Sequence, residues 1–130
     1  MHVQNILKVK GTEVATIGPD DSLADATASL RDHGVGALVV SRDGRTIDGI
    51  VSERDVVRAL AAHGGSTLGR NVASAMSTTV TTCHGSDTVD SLMAMMTERR
   101  ISHLPVLDEG GKLAGNISIG DVVKARVRQL

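Results

Sequence analysis

No phenylalanine, tyrosine or tryptophan occurs among the 130 residues. A core must therefore be built from Val, Ile, Leu, Ala and Met. Any planar ligand ring would lie between aliphatic side chains, and single-stranded nucleic acid would lose its usual stacking platform. Cysteine is almost as scarce. Cys83 stands alone, so no internal disulfide can form, which fits a reducing compartment. It falls on an apolar strand with no basic neighbour and reads as a buried structural thiol. Neither charge sign is in excess: 14 Lys and Arg face 15 Asp and Glu, a formal net of -1. That argues against a broad basic surface for nucleic acid. No apolar run approaches the roughly 20 residues of a membrane span. The N-terminus lacks the apolar core of a signal peptide. The expectation is a cytoplasmic protein with no nucleic-acid and no membrane partner.

Signs of catalysis are also missing. There is no G-x-S-x-G elbow, no P-loop and no cluster of metal ligands. His33, His63 and His84 have no zinc-site spacing. The chain is expected not to be an enzyme and to require no cofactor.

What is present is a repeat. Gly49-Ile50-Val51-Ser52-Glu53-Arg54-Asp55-Val56-Val57 returns as Gly115-Asn116-Ile117-Ser118-Ile119-Gly120-Asp121-Val122-Val123. Each copy reads as a strand end, a serine and a helix. Serine and aspartate make the S-x-x-D spacing of a capping box. The serine oxygen can accept from an N–H of the first turn, where the helix dipole also favours the carboxylate. The same helix mouth can meet an anion, and an acidic residue there can accept from ribose hydroxyls.

The correspondence continues without gaps: Val14 falls on Val80, Thr16 on Thr82, Leu38 on Leu104 and Gly44 on Gly110. In the first copy, Val14 to Ile17 reads as a strand that Gly18-Pro19 stops. Leu23, Ala26, Thr27 and Leu30 make a helical stripe, with Gly34 as its left-handed end. Ala37 to Val40 and Ile47 to Val51 are strands around an Asp43-Gly44 turn. A helix then runs from Glu53 to about His63. Each copy is therefore strand, helix, strand, strand, helix, an α/β chain of the α+β kind. In the second copy the strands are 80–83, 102–107 and 113–118, and the helices 89–99 and 120 to about 127. The expected units are residues 1–65, a linker 66–77 with a helical turn around Val72 to Met76, and residues 78–130. Val3, Ile6 and Leu7 have helical spacing ahead of the first copy.

This order, with G-h-h-S-x-x-D entering the last helix of both copies, resembles the CBS domain across essentially the whole chain. The strings Ser-Glu-Arg-Asp-Val-Val-Arg and Ser-Ile-Gly-Asp-Val-Val-Lys resemble small stand-alone bacterial proteins made of one CBS pair, or Bateman module. The resemblance implies tandem repeats packed with pseudo-twofold symmetry. It implies clefts for an adenosine nucleotide such as AMP, ADP or ATP as a regulatory ligand, a homodimer through helical faces, and an unknown effector protein. It makes Asp55 and Asp121 the ribose-hydroxyl acceptors and puts Ser52 and Ser118 near ribose or phosphate. Thr16 and Thr82, on the first strands, match positions near base or ribose. Gly36, Ala37 and Leu38, and Ser102, His103, Leu104 and Pro105, would offer backbone groups and aliphatic walls to adenine.

The copies depart from one another. Family members often carry basic residues just before the Leu-Pro pair. Here His103 matches, Ser102 is uncharged, and Gly36 and Ala37 carry no charge. Arg54 has Gly120 in its place. Asn116 replaces the apolar residue that Ile50 supplies, so it is expected to be exposed, hydrogen-bonded or in contact with a ligand. An interaction module with vestigial, unoccupied clefts is the alternative. The amino-acid-binding ACT fold, also built of small repeats, is disfavoured because both copies end on a helix.

Overall fold

The protein is described by a computed structural model covering residues 1–129. The chain divides into two compact units, Ala15–Val80 and a second made of Met1–Val14 with residues from Thr81 onward.

In the unit Ala15–Val80, strand β1 (Thr16–Ile17) leads to helix α2 (Leu23–His33), strands β2 (Ala37–Val40) and β3 (Gly49–Ser52), and helix α3 (Glu53–His63). The sheet order is β1-β2-β3. β1 and β2 are parallel, which requires the crossover that α2 supplies. β2 and β3 are an antiparallel hairpin. Ser22 caps α2 by accepting from the Asp25 N–H at 3.0 Å, and Gly34 ends it at φ 62°. The helical stripe read in sequence does face the core: Leu23, Ala26 and Leu30 pack with Ile17, Leu38, Val40, Val51 and Val56.

The residues expected to form a linker belong to this core. Val72, in a short 3-10 turn (Val72–Ser74), is fully buried there. Ser77 bridges Ile50 through two backbone hydrogen bonds of 2.9 Å.

The other unit contains helix α1 (Val3–Lys10), strand β4 (Cys83–His84), helix α4 (Val89–Arg99), strands β5 (His103–Leu107) and β6 (Leu113–Ser118), and helix α5 (Ile119–Gln129). Its sheet repeats the pattern, β4-β5-β6, with β4 parallel and β6 antiparallel to β5. Val3, Ile6 and Leu7 of α1 are buried among Cys83, Leu92, Leu104, Ile117 and Val122. Helix α1 thus packs on the second copy, not on the first copy that it precedes, so the expected boundary at 1–65 divides the chain differently from its packing. The reason is an apolar stripe that must be buried and backbone ties to the α4 entrance. Val3 N donates to Asp87 O and Val89 N to Met1 O.

The same relation holds for the linker. Extended upstream, the repeat places Ile6 on Val72 and Lys10 on Met76. Each copy is therefore completed by the segment preceding the other copy. Gly49 and Gly115 make this possible. A Cβ on Gly49 would meet Ser77 O at 2.7 Å, and one on Gly115 would meet Leu7 Cδ2 at 2.7 Å.

β4 is shorter than the strand expected at 80–83, and Thr82 lies just outside it. In the first unit Val39 N donates to Ala15 O at 3.3 Å. Pro105 holds the equivalent position and has no N–H to give, so the parallel ladder begins one residue later.

Candidate functional site

Both helix mouths are built as the sequence pattern requires. Ser52 is the N-cap of α3, with extended backbone. Its Oγ accepts from Asp55 N at 3.2 Å, while Asp55 Oδ2 accepts from Ser52 N at 2.8 Å and Ser52 Oγ at 3.0 Å. At α5 the Ser118 Oγ accepts from Asp121 N at 3.2 Å, and Asp121 Oδ2 accepts from Ser118 N at 2.9 Å. Capping engages only Oδ2 of each carboxylate. Oδ1 of Asp55 and of Asp121 has no hydrogen-bond partner among the described residues, so an acceptor is left for a hydroxyl donor.

The mouths differ in one respect. Lys10 Nζ donates to Asp121 Oδ2 at 2.6 Å and to the Asn116 carbonyl at 2.7 Å. Burial alone would raise the Asp121 carboxyl, but the hydrogen bonds from Lys10 and Ser118 and the lysine charge outweigh it and hold the carboxyl below its ordinary value. The first unit has Met76 where the second has Lys10, and no salt bridge reaches Asp55 among the described residues.

Strand alternation sorts the other candidates. Leu38 and Leu104 are fully buried in the two cores, so only their main chain is available to a ligand. Ala37 and Val39 face the other side of the first sheet, opposite Ser52 and Ile50. His103 and Pro105 face the same side of the second sheet, opposite Ser118 and Asn116. One face is thus largely apolar and its counterpart polar. His103 is half-buried beside exposed Ser102, whose Oγ lies 3.3 Å from its Nδ1. Gly36 accepts from Glu53 N and Ser102 from Ile119 N, so both carbonyls close helix entrances. Thr16 and Arg54 are exposed and Thr82 is half-buried.

Asn116 resolves the question its position raised: its Oδ1 is buried and has no hydrogen-bond partner. Neither this nor the Lys10 contact is a local signal, because Lys10 and Asp121 stand 111 residues apart. A groove of about 260 Å3 adjoins the second mouth, lined by Ile6, Val9, Lys10, Asp121, Lys124 and Arg128 among others. Among the described residues no group of three or more His, Cys, Asp and Glu could hold a metal ion. No helix among them is long and apolar enough to cross a membrane.

Known proteins share both the sequence pattern and the architecture. The CBS domain family matches residues 8–62 and 72–128. The CBS-domain containing protein ATU1752 from Agrobacterium tumefaciens is 46% identical, with a TM-score of 0.91 over 97% of this chain and 99% of that one. CBSX2, solved in complex with AMP, is 26% identical with a TM-score of 0.80 over 98% of this chain and 96% of its own. The mitochondrial CBS domain-containing protein CBSX3 of Arabidopsis thaliana is 38% identical over 114 residues. These span 85% of this chain and 55% of that protein, so the chain covers little more than half of that relative's length. With two matched copies, two matching sheets and two capped helix mouths, the chain belongs to the CBS domain family.

Proposed function

We propose that this chain is a non-catalytic regulatory module that senses an adenosine nucleotide. The observation that carries this reading is the pair of helix mouths. Each offers a serine hydroxyl and a carboxylate with one oxygen still unengaged. A ribose diol presents two donors to such an acceptor. The AMP complex of CBSX2, which shares this fold at 26% identity, supports the choice of ligand class. Asp55 and Asp121 would accept from ribose, with Ser52 and Ser118 beside them. Thr16, Thr82 and His103 would contact base, sugar or phosphate. Gly36, Ala37 and Ser102, with the main chain of Leu38, Leu104 and Pro105, would border the base, and Arg54 would lie at the rim.

Binding would favour one conformation over another by the difference in the ligand's affinity for them, and an effector protein would read the change. The proposed setting is the cytoplasm. A homodimer is proposed through helix faces, on a specific observation. Val57 on α3 and Val123 on α5 occupy equivalent positions in the two copies and are 62% and 50% exposed. Leu60, Ile119 and Val127 extend the apolar stripes. If the helix mouths bind nothing, those stripes would be the working surface of a pure interaction module.

Thermal unfolding of the full chain with AMP, ADP, ATP, S-adenosylmethionine and GTP tests the reading. Stabilisation by adenosine compounds, growing with concentration, is expected. No shift with any of them at millimolar concentration leaves the interaction module.

A further inference from the structure

The second helix mouth is closed by a residue that the first lacks. Lys10 reaches Asp121 and the Asn116 carbonyl from the end of α1. At the matching position the first unit has Met76, which cannot pair with Asp55. The Lys10 ammonium occupies Asp121 Oδ2, the oxygen that also takes the capping N–H. Oδ1 stays open, but a diol that is to engage both oxygens of this carboxylate meets a cation already seated on one of them.

A second observation concerns the strand that leads into this mouth. The buried Asn116 Oδ1 lacks a donor. Asn116 and Ser118 point to the same face of the strand. A third observation gives the displaced ammonium somewhere to go. Lys10 and Asp121 line the α1–α5 groove together with Lys124 and Arg128. Residues 121, 124 and 128 share one face of α5. They rise along it by roughly 4.5 and 10.5 Å from Asp121, at 1.5 Å per residue. A ribose 5-phosphate fits that span with its diol at Asp121. Neither Lys124 nor Arg128 is ion-paired among the described residues.

We propose that Lys10 is a displaceable counter-ion: a ribose diol replaces it on Asp121, and its ammonium, with Lys124 and Arg128, then holds the phosphate of the same ligand in the α1–α5 groove. This rests on the nucleotide reading above and deepens it. The second mouth is thereby selective for phosphorylated over neutral nucleosides, because only a phosphate compensates the lost Lys10–Asp121 pair. The first mouth, with Met76, carries no such requirement.

The test is calorimetric titration of the full chain carrying Asp55→Ala, which leaves only the second mouth, with AMP, adenosine and ribose 5-phosphate. The same titrations follow with Lys10→Met, the residue the first copy uses, and with Lys10→Arg. With Lys10 present, AMP binds at least about tenfold tighter than adenosine, the scale of one charge-assisted hydrogen bond. Lys10→Met weakens AMP by about tenfold and strengthens adenosine, so the preference collapses, and Lys10→Arg keeps it. Ribose 5-phosphate follows AMP in direction. An unchanged AMP-to-adenosine ratio in Lys10→Met, or equal losses for both ligands, overturns the proposal while leaving the nucleotide reading intact. A ligand-free unfolding cycle of Lys10→Met against Asp121→Asn reports the ion pair alone. Coupling in that cycle with no binding of any ligand overturns the nucleotide reading, and the proposal with it.

Discussion

Leu7 fills the space into which a side chain at Gly115 would project: a Cβ there would lie 2.7 Å from its Cδ2. Gly49 has the same relation to the Ser77 carbonyl oxygen, also at 2.7 Å. The two clashes differ in kind, because a leucine methyl can turn aside and a backbone oxygen in a paired bridge cannot. Gly49→Ala should therefore cost about 2–3 kcal/mol and Gly115→Ala about 1 kcal/mol, within the range for overpacking. Urea unfolding of both variants gives the order, and equal costs would show that Leu7 is held as firmly as the bridge.

Arg100 ends α4 at φ 54°, the place where Gly34 ends α2 at φ 62°. An L side chain is strained in this region, and glycine is not. Arg100→Gly is expected to stabilise the protein by about 1 kcal/mol, visible as a rise of a few degrees in melting temperature. A fall would mean that the guanidinium makes a contact worth more than the strain.

Asn116 places an amide oxygen in the interior without a donor, where the first copy has Ile50. Asn116→Ile should raise stability by about 1–2 kcal/mol, since it removes an unsatisfied buried acceptor. Ligand affinity at the second mouth should fall in the same variant. Unfolding and titration of one preparation measure both, and a loss of stability would contradict the assignment.

Cys83 is buried, and that burial, with the charge of Asp87, pushes its thiol up to about 12. An unfolded thiol ionises near pH 8.5, to an approximate value. Across the interval above that the unfolded chain releases a proton that the folded chain keeps, so stability falls as pH rises and is intact below it. Cys83→Val should flatten this alkaline decline. Iodoacetamide at pH 8 should label the native thiol far more slowly than the unfolded one, and equal rates would sink the structural reading.

The elements with local periodicity were legible in the sequence. Leu23, Ala26 and Leu30 announced α2, and Ser52 with Asp55 announced the mouth of α3, because capping and amphipathic spacing act within a few residues. Three features were not legible locally. The docking of α1 depends on Gly115, more than a hundred positions away. The one-residue shift of β4 depends on Pro105, whose missing N–H matters only once the strands are paired. The Lys10–Asp121 pair depends on that docking of α1. A trace of it lay in the upstream extension of the repeat, where Lys10 aligns with Met76. That is the only charged-to-apolar change adjoining the two mouths in that segment.

Calorimetric titration of AMP into the unmodified chain and into the Asp55→Ala, Asp121→Ala double variant tests the sensor reading most directly. Saturable binding by the unmodified chain is expected, with a loss of about tenfold or more in the double variant, the scale of losing a charged acceptor to ligand hydroxyls. Binding of equal strength in both, or none in the unmodified chain, would contradict it.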